Sequence, residues 1–144
     1  MEKFNSASII NDGGSFRDPC GQVYKFTHEN GVKIIRGVNE ETFHQQSELI
    51  NEDFFQSLIE DKKIIETTVF DKEKIKKYDC SKKWPFFLRH KHIDLISYPY
   101  EWTFSQLKDA AILHLELLKI FLEKGWILKD STPYNIQFED NIPV

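Results

Sequence analysis

Cysteine is scarce in this 144-residue chain, and the two present, Cys20 and Cys80, lie far apart. With no C-x-x-C and no paired histidine spacing, they support neither a disulfide framework nor a zinc site. Reduced thiols in a cytoplasmic protein are expected. No run approaches the roughly 18 consecutive apolar residues of a membrane span. The start, Met1-Glu-Lys-Phe-Asn-Ser6, has no apolar stretch after its lysine and does not read as a signal peptide. Charge of one sign is never blocked: 19 Lys and Arg against 23 Asp and Glu give a net charge of -4. That balance argues against a nucleic-acid groove. The six glycines never fall as G-x-G between a strand and a helix, so the turn that cradles a dinucleotide or S-adenosylmethionine is missing. Internal repeats and low-complexity tracts are absent.

What is present is aromatic: twelve Phe, five Tyr and three Trp within 40% apolar content. One domain with an aromatic core, or an interface that uses aromatics, fits this length. Residues 1–14 read as a lead-in. Over residues 15–38 the pattern predicts a three-stranded meander. Asp18-Pro-Cys-Gly21 suits its first tight turn and Asn30-Gly31 its second. Asn39 is the expected N-cap of a helix from Glu40, and Asn51-Glu-Asp53 is expected to divide that helix. The β-branched run Ile64–Phe70 predicts a fourth strand. Residues 71–83, with six lysines among three acids, read as a solvated loop.

Trp84–Arg89 and Ile93–Trp102 predict a fifth strand running into an aromatic connector, where Pro99 blocks further pairing. The connector Tyr98-Pro-Tyr-Glu-Trp102 reads first as packing. Glu101 within it is expected to pair with Arg89 or Lys108, and Tyr98 and Trp102 could instead frame a cleft. Thr103 and Gln106 form a T-x-x-Q capping box. The helix from Phe104 to about Lys124 is apolar around most of its circumference and ends at Gly125, so burial on more than one side is expected. A short strand, a turn at Glu139-Asp-Asn141 and a second strand beginning at Ile142 close the chain. The five histidines show no ligand spacing, and no metal site is expected.

This order of elements is that of a protein-kinase-like α+β fold cut short: an antiparallel N-lobe sheet with helix, a hinge, a long C-lobe helix and a catalytic-loop-like hairpin. Residues 15–102 correspond to the N-lobe and 103–144 to the start of the C-lobe. Asp130 and Asn135 have the catalytic-loop spacing, in which the Asp takes or positions the proton of the attacking hydroxyl and the Asn holds a metal on phosphate oxygens. A pair at this spacing can equally do no more than hydrogen-bond a turn. Departures from the pattern are plain. Leu128 and Lys129 precede the Asp, and the first turn carries one glycine and a rigid proline where phosphates need a pliant loop. Arg36 stands where a lysine is expected, with Glu48 or Glu52 as its candidate partner, and arginine copies that lysine poorly. The second metal-binding Asp would lie beyond Val144.

Four stretches together carry a family resemblance: Ser15-Phe-Arg-Asp-Pro-Cys-Gly21, Ile96-Ser-Tyr-Pro-Tyr-Glu-Trp102, Leu107-Lys-Asp-Ala-Ala111 and Leu128-Lys-Asp-Ser-Thr-Pro-Tyr-Asn135. They resemble the N-terminal region of large bacterial class I S-adenosylmethionine-dependent methyltransferases, the group with nodulation-protein-like members. The resemblance implies a kinase-like segment fused to a C-terminal methyltransferase domain, with S-adenosylmethionine bound in that domain. Within the segment it leaves Asp130 as a catalytic candidate, and Asn135, Arg36 and Glu48 as candidates for holding a nucleotide such as ATP–Mg. Three roles stay open: a non-catalytic segment binding substrate, partner or nucleotide; an incomplete lobe of a small-molecule phosphotransferase; or a plain interaction module. The long helix, lacking neighbours, is expected to be covered by a second copy, by domain swapping or by the N-terminal sheet. No nucleic-acid or membrane partner is expected.

Overall fold

The computed structural model describes residues 8–13, 18–28, 31–129 and 131–144. The chain is a mixed α+β protein that divides into two units: Met1–Ser57 with Glu66–His92, and Leu58–Ile65 with Ile93–Val144. The sequence division at residue 102 thus differs from the structural one, and the aromatic connector falls with the second unit.

The first unit is built on a five-stranded antiparallel sheet. Its strands are β1 (Ser8–Asn11), β2 (Gly21–His28), β3 (Gly31–Val38), β4 (Thr67–Phe70) and β5 (Phe86–His90), in the spatial order β1-β2-β3-β5-β4. The meander is shifted from expectation, because β1 lies inside the stretch read as lead-in. Residues 14–17, where its first strand was expected to begin, fall outside the described residues. His28 pairs with Gly31 across the second turn, and residues 29 and 30 are also outside. Two helices follow β3. The Asn39 side chain accepts from the Thr42 N–H at 2.9 Å and caps α1 (Glu40–Ile50). Asn51 ends that helix, and α2 (Asp53–Glu60) follows.

Alternation along the strands sorts the side chains onto two faces. Strand register puts Tyr24, Phe26, Ile35, Gly37, Phe70 and Phe87 on one face. Their core is completed by Ile75, Cys80 and Trp84. Those three come from the segment read as a solvated loop, or from its edge. Residues 72–75 form a 3-10 turn and Cys80–Lys83 a short helix, α3, and Ile75 is fully buried. Six lysines masked two inward residues, Ile75 and Cys80, because short helical turns put some residues on one side, and Trp84, expected to open the fifth strand, instead ends α3. The Trp84 indole donates to the Tyr24 hydroxyl at 3.0 Å. The opposite face carries Arg36, Val38, Leu88 and His90. On α1, Phe43 stacks on Phe86 of β5 at 4.1 Å between ring centres.

The second unit centres on α4 (Phe104–Glu123). The capping box forms as expected: the Thr103 hydroxyl accepts from the Gln106 N–H at 3.3 Å, and Gln106 accepts from the Thr103 N–H at 2.9 Å. At the far end Gly125 adopts a φ of +80°. The Trp126 N–H reaches the Phe121 carbonyl and the Gly125 N–H that of Leu122, a Schellman closure that a side chain at Gly125 would strain. One face of α4, with Ala110, Leu113 and Phe121, is buried. A second face carries Phe104, Leu107, Ala111, Leu115 and Leu122, all exposed. Burial on several sides, as the composition suggests, is therefore not what this chain provides. The strands β6 (Phe138–Glu139) and β7 (Ile142–Pro143) pair around Asp140 and Asn141, both at positive φ. Among the described residues, no helix is long and apolar enough to cross a membrane.

Two tests follow from the first unit. A Cβ at Gly37 would sit 2.4 Å from the Trp84 ring. Gly37→Ala is therefore expected to cost about 2 kcal/mol or more through overpacking, read as a lower urea midpoint by tryptophan fluorescence. An unchanged midpoint would refute the packing. The His90 ring nitrogen Nδ1 lies 2.9 Å from the Thr67 hydroxyl and ties β5 to β4. Burial, with a smaller contribution from Arg36, pushes its pKa down from 6.5 to about 4. Between those values the unfolded chain binds a proton that the folded chain does not, so stability falls as pH drops through that window. The loss is at most about 3 kcal/mol. His90→Gln should flatten the stability profile between about pH 6.5 and 4 relative to the parent chain, and equal slopes in the two proteins would exclude this role.

Candidate functional site

The turn into β2 is ordered by one carboxylate. Asp18 Oδ1 accepts from the Cys20 N–H at 2.9 Å, the local bond that Asp-Pro turns favour. The Cys20 carbonyl accepts from the N–H of Asn39, the residue that caps α1. The other oxygen of Asp18 takes the Arg36 guanidinium in a short ion pair, and both side chains are half-buried. Gly21 makes the approach possible. A Cβ there would meet Arg36 Nε at 2.9 Å, the Gly37 carbonyl at 3.0 Å and Asp18 Oδ2 at 3.3 Å.

The expected partner of Arg36 is thereby corrected. Arg36 pairs with Asp18, whereas Glu48 and Glu52 are exposed. The reason is reach: the turn brings its carboxylate to the middle of β3. The sequence held a signal for this, an Asp-Pro turn followed by a glycine opposite an arginine-bearing strand. Chemically, the pair neutralises the one guanidinium that faces α1 from β3. A phosphate would have to displace Asp18 to use it, and displacing one partner of a half-buried pair is costly.

The other candidates lie in the second unit. Asp130 falls outside the described residues. Asn135 closes a 3-10 turn, Pro133–Asn135, and its N–H donates to the Thr132 carbonyl at 3.0 Å. Its residue is exposed. Among the described residues, no group of three or more His, Cys, Asp or Glu side chains is arranged to hold a metal.

The connector is organised by Glu101, although by neither expected ion pair. Its carboxylate accepts from the Tyr98 N–H at 2.8 Å and so caps the turn Pro99–Glu101. Arg89 instead pairs with Glu66. The Trp102 indole donates to the Ser97 hydroxyl at 2.9 Å and its ring meets Phe138 edge-on at 5.1 Å. Trp102 is packing, as expected. Tyr98 is not: its ring stacks on Tyr100 at 5.5 Å and faces Tyr134 at 6.4 Å in an exposed group. Tyr100 and Tyr134 were not singled out from the sequence, although each follows a proline in a short turn.

No protein-family model matches the chain, and no solved structure matches it significantly. The chain is similar to the nodulation protein NoeA of Rhizobium meliloti (strain 1021), with 33% identity over 130 residues. The match covers 90% of this chain and 26% of that protein. The chain therefore spans about a quarter of the length of the curated relative it matches.

Proposed function

We propose that the chain is a kinase-like, non-catalytic segment of a larger bacterial S-adenosylmethionine-dependent methyltransferase. In this reading it holds a substrate, partner or nucleotide, while methyl transfer and S-adenosylmethionine binding belong to a fused C-terminal domain. The observation that carries the reading is the match to a nodulation protein about three and a half times as long, along nearly the whole of this chain. The kinase-like part draws support from the strand order β1-β2-β3-β5-β4, with α1 and α2 inserted after β3. Further support comes from the capped α4 that precedes the Asn135 turn. The non-catalytic part draws support from the Asp18–Arg36 pair and the rigid turn before β2. Together they leave little for a phosphate to bind.

A phosphotransferase lobe is the second reading, favoured by the spacing of Asp130 and Asn135. Phosphoryl transfer at millimolar ATP–Mg separates the two, and none is expected; a shifted melting curve without transfer would mean that the non-catalytic segment holds the nucleotide. A clear shift, with phosphoryl transfer lost in Asp130→Asn, would establish the second reading instead. For the longer protein, S-adenosylmethionine affinity is expected to survive deletion of this segment. Loss of that affinity in a folded remainder would overturn the assignment of the cofactor to the fused domain.

The exposed face of α4 is where the fused domain would pack. Phe104, Leu107, Ala111, Leu115 and Leu122 recur at helical spacing and form one apolar stripe. In the isolated chain a second copy is the available cover, giving a homodimer. Sedimentation should show concentration-dependent association that Leu115→Glu abolishes, and a strict monomer at all concentrations would refute it.

A further inference from the structure

Six residues of α4 follow one another at intervals of four, three, four, three and four: Phe104, Lys108, Ala111, Leu115, Leu118 and Leu122. That alternation repeats every 3.5 residues on average, the spacing at which one helix keeps a continuous seam toward another. The seam is open. Phe104, Leu115 and Leu122 are 83%, 65% and 55% exposed, Lys108 and Ala111 are exposed as well, and Leu118 is half-buried. It is also uneven along its length. A ring stands at its start, one small residue, Ala111, lies near the middle, and one cation, Lys108, interrupts it. The helix itself is firmly ended at both sides, by the Thr103–Gln106 box and by the turn at Gly125, so a partner would meet a surface that needs little ordering.

We infer that this seam closes on the same seam of a second copy with the two helices antiparallel. Phe104 then packs on Leu122 of the second copy, Lys108 beside its Leu118, and Ala111 on its Leu115. The inference rests on the homodimer reading of this face and adds its direction and register. Charge selects the direction. Parallel helices would set Lys108 against its own copy inside an apolar seam, two like charges without a counter-charge. Antiparallel helices hold the two lysines about 15 Å apart along the axis, and each can lay its stem on Leu118 while its ammonium stays in water. Volume selects the register. A parallel pair puts ring against ring at Phe104 and leaves a void where Ala111 meets Ala111. The antiparallel register gives every layer one leucine, from Leu122, Leu118 or Leu115, and so fills the layers more evenly. Ile112, 45% exposed on the flank of the seam, comes next to the two-fold axis and meets its own copy. Area allows the pair to last. Covering Phe104, Leu107, Ile112, Leu115 and Leu122 on both copies takes on the order of 1,000 Å² out of water, where specific interfaces begin.

The test uses the full 144-residue chain carrying Cys20→Ser, which removes the half-exposed thiol and leaves the buried Cys80. Phe104→Cys and Leu122→Cys are introduced separately, and the two variants are oxidised alone and mixed. The mixture is expected to give a disulfide-linked dimer that dithiothreitol dissolves, and Leu115→Glu in both chains should abolish it. Each variant alone should stay unlinked, because the antiparallel register holds each new thiol about 27 Å from its own copy along the axis, far beyond the reach of a disulfide. Sedimentation of the same samples separates the outcomes. Linking of Phe104→Cys to itself would overturn the antiparallel arrangement and leave the homodimer standing. A dimer in sedimentation without a link in the mixture would overturn the register. A strict monomer at all concentrations would remove the homodimer reading and this inference together.

Discussion

The approach of Trp84 to Gly37 is the contact on which the first unit depends. The indole lies where any side chain at position 37 would stand, and its nitrogen donates to Tyr24 on β2. Through it the helical segment after β4 is fastened onto the sheet. Ile75 and Cys80 enter the core beside it, and burial pushes the Cys80 thiol up, out of the range of a reactive thiolate. One absent side chain thus decides how one face of the sheet is covered. The other face is left to α1, through the stack of Phe43 on Phe86. Arg36 and His90 lie on that second face, so the one arginine on β3 is held among helix-covered residues and needs a fixed counter-charge.

That need explains the turn into β2. An arginine half out of water is tolerated only when its charge is met. Asp18 meets it while also closing its own turn. A glycine-rich loop leaves its N–H groups free for phosphates, but here Asp18 and the Cys20 carbonyl have tied the backbone to β3 and to α1. The same residues that make the turn rigid remove its value as a phosphate cradle. Stability of the turn against β3 and nucleotide binding are alternatives at this position, and the residues present favour the first.

Much of the fold was legible from local chemistry. The Asn39 cap, the break at Asn51, the Thr103–Gln106 box, the Gly125 closure and the turn at Asp140-Asn141 each rest on a few adjacent residues, and each formed where expected. What was not legible depends on residues far apart in the chain. The lysine-rich segment hides its inward residues Ile75 and Cys80, since composition averages over faces that packing separates. The Arg36 partner lay 18 residues upstream instead of on the helix that follows. Strand β1 has four residues, too few for alternation to register. For the candidate site, the residue types at positions 36 and 135 were visible, while the company that Arg36 keeps was not.

The second unit shows how apolar composition can mislead when a helix has two apolar faces. The apolar circumference of α4 was read as burial on more than one side, yet within this chain only the face with Ala110, Leu113 and Phe121 is covered. Leaving Phe104 and Leu115 in water forgoes roughly 2 kcal/mol for each side chain. The same reasoning applies to the tyrosines, with a difference. A phenol tolerates water on its hydroxyl and loses less by exposure than leucine, so a tyrosine surface stays soluble while empty and is still available to stack. The α4 stripe, made of leucine and phenylalanine, has the chemistry of a permanent contact.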